Sequence, residues 1–406
     1  MPKKTVRDIE VKDKRVLMRV DFNVPMKEGR ITDDTRITAA LPTIRHVLQH
    51  GGKLVLMSHL GRPDGEAKPE FSLRPTALKL ADVLGMPVPL APDCVGAAAR
   101  QMVDALKSGE ALMLENVRFH PEEELLNKYQ KQDDATKARI DAFCHEMASL
   151  GDVYVNDAFG TAHRAHASTQ GVCKYLKANV AGFLMEREVK YFGDVLASPS
   201  RPFIAILGGA KVSDKVLVIE NLIRKCEALL IGGAMAYTLM KADGQPVGIS
   251  RVEEDKLDVA RNVLALARQN GVRLLLPVDH VTAPVFDTDS PEGVFAAIPD
   301  GQMGLDIGPR SVELFSKEIA AARTIVWNGP MGVFEKPAFA KGTFAVCSAI
   351  ADNPDAVSII GGGDSVSAVN KSGQANKMTH ISTGGGASLE FLEGKILPGV
   401  AALDEA

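Results

Sequence analysis

The stretch Pro202–Ile223, PFIAILGGAKVSDKVLVIENLI, decides the fold. An apolar run, Phe203–Leu207, passes through a glycine-containing turn, Gly208 to Lys215, into Val216–Ile223, whose apolar spacing predicts a helix. Strand, glycine turn and helix is the layout in which backbone N–H groups and a helix N-terminus hold an anion. The turn matches neither G-x-x-x-x-G-K-[ST] nor G-x-G-x-x-G, so it does not name its chemistry.

The same pattern recurs along the chain. Short apolar runs at Val16–Val20, Leu54–Met57, Ala111–Leu114 and Val153–Val155 precede polar or glycine loops, then longer amphipathic stretches. A second set follows at Ala228–Ile231, Arg273–Leu276, Thr324–Trp327 and Val357–Ile360. Strands covered by helices on both faces lose polar alternation, so the pattern predicts parallel α/β architecture with two sheets. Between the sets, AGFLMEREVKYFGDVLASPSRP (181–202) spaces Phe183, Leu184, Val189, Phe192 and Leu196 as a helix does, and Pro199 and Pro202 follow. This reads as a helical connector. The charged stretch His120 to Lys137 reads as a solvated excursion without functional weight.

A chain of 406 residues can bury two cores. Its formal charge of −4 gives no bulk attraction to nucleic acid or membrane, so any anion site must be local. Five cysteines, never spaced C-x-x-C, point to neither a disulfide framework nor a zinc site. The N-terminus lacks an apolar signal region and no apolar run approaches a membrane span, so a cytoplasmic protein is expected.

Ligands of open parallel sheets bind at the carboxyl ends of the strands. In the first half those ends carry Asp21-Phe-Asn, Ser58-His-Leu-Gly-Arg62, Glu115-Asn-Val-Arg118 and Asn156 to His166. With Arg36, the loops bring Arg62, Arg118, Arg164, His59, His163 and His166 towards one edge. Guanidinium forks suit phosphate and carboxylate, so a small polyanion is the expected ligand; singly, each arginine could equally pair with a nearby acid. Among the histidines His59 stands out, between a strand end and Gly61-Arg62.

Second-half strand ends carry Gly208-Gly209, Gly232-Gly233, Asn328-Gly-Pro-Met-Gly and Gly361-Gly-Gly-Asp-Ser365, with Ser382-Thr-Gly-Gly-Gly-Ala387 beyond. Bare backbone approaches a base or phosphate closely, which predicts a nucleotide site. Lys211 and Lys215 would share one face of the first helical turn if Ser213 is the N-cap. Cations there oppose the macrodipole by about 0.3–1 kcal/mol each, unless an anion lies between them. Asp364 is the candidate Mg²⁺ ligand, with helix capping as its plainer role. No nucleophile triad is evident, and phosphoryl transfer across a cleft needs positioning and charge rather than covalent help.

RVDFNVP, SHLGRP, ENVRF, NDAFGTAHRAHAS, LGGAKVSDK, LIGGAMAYT, GLDIGP, WNGPMGVFE, IIGGGDS and STGGGASLEFLEGK, in this order, resemble the phosphoglycerate kinase family across essentially the whole chain. The resemblance implies two Rossmann-like domains joined by a helical hinge: 1–181 completed by 389–406, a connector at 182–201, and 202–388. It implies a glycolytic transferase that moves phosphoryl reversibly between 1,3-bisphosphoglycerate and ADP, giving 3-phosphoglycerate and ATP. Mg²⁺, domain closure and a monomer without nucleic-acid or membrane partners come with it.

By the same resemblance Asp21, Phe22, Asn23, Arg36, His59, Leu60, Gly61, Arg62, Arg118 and Arg164 bind the phosphoglycerate. Lys211, Lys215, Gly233, Gly304, Glu335, Gly362, Gly363, Asp364 and Ser365 serve the nucleotide, with Asp364 on the metal. Arg36, Lys215 and Gly386 act on the transferring group. Departures are small: Ser365 and Ala234 stand where threonine and glycine are frequent. Two alternatives remain open at this point, another ATP-dependent kinase or ligase on this scaffold and a non-catalytic nucleotide-binding sensor.

Overall fold

The computed structural model describes residues 2–406. Two units emerge: one runs to Lys190 and takes back Ile396–Ala406, and the other is Tyr191–Lys395. The switch falls inside the helix Phe183–Ala197, which covers most of the stretch predicted as a connector. Its first turn is held by Asp157, whose Oδ1 accepts from the N–H groups of Leu184 at 2.9 Å and Met185 at 3.1 Å.

In the first unit five strands lie in the order Ala111–Met113, Lys53–Met57, Arg15–Arg19, Val153–Asn156, Asn179–Ala181. All neighbouring pairs are parallel. The C-terminal segment belongs here, with Gly399 N–H donating to Ala162 O and Asp404 N–H to Asn179 O, each at 2.8 Å. Helix Gly386–Leu392 stays with the second unit, where Asn221 Nδ2 donates to Leu392 O at 2.7 Å.

The second unit has a six-stranded parallel sheet in the order Arg273–Leu275, Ala228–Ile231, Phe203–Leu207, Thr324–Asn328, Val357–Gly361, His380–Ile381. Every residue of the two central strands is buried, because helices cover both faces; this is why their sequences do not alternate. Trp327 anchors this core with no exposed surface.

One feature escaped the sequence pattern. An antiparallel sheet of His280–Ala283, Gly293–Phe295 and Met303–Ile307 adjoins the parallel one. Its strands are short and mix His, Thr, Gly and Asp with the apolar residues, so no continuous run marks them. Among the described residues no helix is long and apolar enough to cross a membrane.

Candidate functional site

The first unit gathers its charge around Asp21, which follows the central strand. Arg36 donates to Asp21 Oδ2 at 2.8 Å, and His59 Nδ1 lies 3.9 Å from Oδ1. Asn23 Oδ1 accepts the Gly61 N–H at 2.8 Å, while Arg118 Nη1 donates to Gly61 O at 2.9 Å. The loops after three strands are thereby tied together. Burial, then the positive charges of Arg19, Arg118 and Arg36, hold the His59 pKa well below the ordinary imidazole value, so the ring is neutral at pH 7. His163 is likewise lowered by burial, to about 4.

Arg62 and Arg164 are exposed, and their guanidiniums make no hydrogen bond or ion pair among the described residues. They are available to an anion. Phe22 and Leu60 are different: both side chains sit in the hydrophobic core, so any ligand contact there must come from backbone.

Sequence reasoning overlooked four polar residues. Arg19 has no exposed surface and donates through Nε to Ser168 Oγ at 2.7 Å and through Nη2 to His59 Nδ1 at 3.2 Å. Its signal was available: an arginine inside a strand otherwise apolar is a buried charge with a partner. Glu123 also has no exposed surface, which corrects the reading of residues 120–137 as wholly solvated. Its Oε1 and Oε2 accept from Ser168 Oγ at 2.6 Å and Ser168 N–H at 2.8 Å. Despite the cost of burial, the neighbouring His166, then the Arg19 charge and the Ser168 hydroxyl bond, bring the carboxyl down to about 2. The same segment places His120 Nε2 2.7 Å from Asp93 Oδ1, with Cys94 adjacent; burial holds that thiol well above its usual range.

The second unit offers a pocket of about 520 Å³. Apolar side chains line much of it, including Ile249, Phe286, Met303 and Leu305, with Glu335, Arg251 and Asp364 as the charged residues. Ile249 and Phe286 are more than half exposed, at 53% and 57%, which is costly for residues with nothing to cover. Near this pocket Lys215 Nζ donates to Asn328 Oδ1 and, at 3.4 Å, to Asn328 O. Burial lowers its pKa to about 8, against the opposing pull of the Asp364 and Asp214 carboxylates. Asn328, the fourth overlooked residue, is 3% exposed, and its Nδ2 has no hydrogen-bond partner among the described residues.

Three expectations change here. The helix starts at Val216 with Lys215 as its cap residue, so Lys211 and Lys215 do not share a helical turn. Ser213 is not the N-cap: Glu253 takes its N–H at 3.0 Å and its Oγ–H at 2.5 Å. Ser365 points away from solvent, fully buried, and accepts the Gly329 N–H at 2.5 Å, whereas Asp364 beside it stays exposed at the start of helix Gly363–Ser372.

The glycines serve one another as much as any ligand. A Cβ on Gly208 would lie 2.0 Å from Pro330 O, and one on Gly233, whose φ is +67°, would lie 2.5 Å from Gly209 N. Three strand-end loops therefore cross backbone on backbone. Gly304 makes room for Tyr237, whose Oη would be 2.1 Å from its Cβ.

A phosphoglycerate kinase family model matches residues 6–395. The chain belongs to the phosphoglycerate kinase family. It is 56% identical to the phosphoglycerate kinase of Acidobacterium capsulatum over 416 residues, covering 100% of each chain. It is likewise 56% identical to that of Koribacter versatilis, covering 99% of each. Among solved structures, the phosphoglycerate kinase of Coxiella burnetii aligns with a TM-score of 0.87 at 40% identity, over 99% of this chain and 98% of the other. That of Pyrococcus horikoshii aligns at 0.83 and 34%, with the same coverage. Membership makes the chain a phosphotransferase and does not favour the non-catalytic sensor.

Proposed function

We propose that the first unit binds 3-phosphoglycerate or 1,3-bisphosphoglycerate and the second ADP or ATP, with reversible phosphoryl transfer as a step of glycolysis. The observation that carries this reading is the division of chemistry: arginines and histidines around Asp21 in one unit, an apolar slot beside Lys215 and Asp364 in the other.

On this reading Arg62, Arg118 and Arg164 with neutral His59 and Asn23 hold the phosphoglycerate, and Arg36, steadied by Asp21, neutralises charge at the acyl phosphate. The base lies against the apolar wall, Glu335 takes a ribose hydroxyl, and Lys211, Lys215 and Asn328 meet the phosphates. Backbone at Gly362, Gly363 and Gly386 supplies N–H donors. In the ATP-forming direction a β-phosphate oxygen of ADP forms a bond to phosphorus while the bond to the acyl oxygen breaks, and the carboxylate leaves. The attacking and leaving oxygens are both anionic at pH 7, so no general base is needed. Bringing the ligands into line and excluding water is assigned to closure of the domains.

Asp364 fits Mg²⁺: it is an exposed carboxylate on the pocket wall, and this ion takes one or two carboxylates plus phosphate oxygens. The bound ion supplies charge neutralisation at the nucleotide phosphates. We also propose a cytoplasmic monomer without nucleic-acid partners; of these, the modest net charge of −4 bears only on the last, since it offers no bulk attraction to nucleic acid.

The test is ATP-dependent turnover of 3-phosphoglycerate with Mg²⁺, drawn through an NADH-oxidising dehydrogenase. Magnesium-dependent turnover is expected; a folded, ATP-binding protein that ignores 3-phosphoglycerate would overturn the substrate assignment. A pH dependence follows as well. Lys215 must be cationic, and its pKa is depressed to about 8, so charge is present below that value and lost as pH rises through it. The kcat/KM for nucleotide, which reports the free enzyme, is expected to fall above about pH 8, and the residual rate of Lys215→Arg to show no such limb. A wild-type profile flat to pH 10 would contradict the assignment.

A further inference from the structure

Three of the polar residues that sequence reasoning overlooked, Glu123, Ser168 and Arg19, form one chain of bonds that ends at His59. Ser168 has a single hydroxyl proton, and it goes to Glu123 Oε1 at 2.6 Å. Its oxygen is then an acceptor, and Arg19 Nε donates to it at 2.7 Å. A guanidinium has donors only, so at the next link, 3.2 Å from Arg19 Nη2, His59 Nδ1 must be the acceptor. A second guanidinium bond, from Nη1 to Val20 O, fixes the plane of the fork.

From this polarity we infer that Glu123 is a positioning residue: acting through Ser168 and Arg19, it sets the proton of His59 on Nε2. The neutral ring then offers Nε2–H as its only donor to an anionic ligand. Each member is fully or almost fully buried, His59 at 3% exposure, so water does not compete for the links. Asp21 works against this direction. Its carboxylate, 3.9 Å from Nδ1, would otherwise favour a proton there, and Arg19 supplies the competing donor. Glu123 also faces His166, whose Nδ1 lies 3.6 Å from Oε1, so this carboxylate anchors the loop that carries both His166 and Ser168.

The inference rests on the first unit being the phosphoglycerate site, and its test has an arm that does not. Without substrate, imidazole ¹⁵N spectra of the full chain are expected to show His59 protonated on Nε2 with Nδ1 an acceptor. Ser168→Ala removes the middle link while retaining the Glu123 charge, and a mixture of tautomers is expected. In turnover, Ser168→Ala is expected to raise KM for 3-phosphoglycerate about tenfold, the effect of one lost bond to a charged group, with kcat and the KM for Mg-ATP within about threefold of wild type. Glu123→Gln, checked for folding by circular dichroism, is expected to shift both readouts the same way, because in either orientation its amide NH₂ meets a Ser168 group, N–H or Oγ–H, that donates to the carboxylate in the wild type. A wild-type ring protonated on Nδ1, or a Ser168→Ala protein with unchanged spectrum or unchanged KM, would overturn the relay. Absence of wild-type turnover with 3-phosphoglycerate would instead sink the substrate reading, while the spectra still decide the tautomer.

Discussion

Lys215→Ala is expected to lower kcat by about 10²–10³-fold, the loss seen when one preorganised donor to a transition-state charge is removed. The ammonium is buried enough to bring its pKa to about 8, and Asn328 holds it through two oxygens. An amine held with its charge partly desolvated interacts more strongly with developing charge than a solvated one would. KM for nucleotide should change much less than kcat, because the interaction grows as the phosphoryl group moves. Arg36→Ala should behave similarly, as its guanidinium is already oriented by Asp21 at 2.8 Å. The coupled assay measures both. An unchanged kcat in either variant would remove that residue from the transferring group.

The second large effect concerns stability. Gly208→Ala would drive its Cβ to 2.0 Å from Pro330 O and 2.7 Å from Gly329 O, both backbone atoms that cannot rotate away. Destabilisation of about 4–5 kcal/mol or more is expected, among the largest that single substitutions produce. Gly363→Ala is the control: nothing lies within 4 Å of its added Cβ, so a change within about 0.5 kcal/mol is expected. Urea unfolding midpoints compare them. Equal midpoints would show that the strand-end glycines are kept for ligand access rather than for crossing loops.

These glycines show where sequence reading stops. Local pattern was enough for the parallel sheets: Phe203–Leu207 and Thr324–Asn328 are buried on both faces, and that burial is written directly as unbroken apolar runs. The strand-end rule then located Asp21, His59, Arg118, Lys215 and Asp364, because a parallel sheet delivers its loops to one edge whatever the loops contain. By contrast, the antiparallel sheet at 280–307 left no run long enough to read.

The errors share one cause, a partner distant in sequence. Ser213 looks like an N-cap until Glu253, forty residues on, occupies both its hydrogen-bonding groups. Glu123 looks like one charge in a solvated run until Ser168 and Arg19 enclose it. Composition and periodicity register solvent and neighbours within a few residues, so the sequence by itself determined the fold class, the family and the edge of each sheet where charge collects. Which of those charges are buried, which pair with one another and which remain open to a ligand was decided only by tertiary contacts, since a buried ion or amide is tolerated only where the fold supplies its partner.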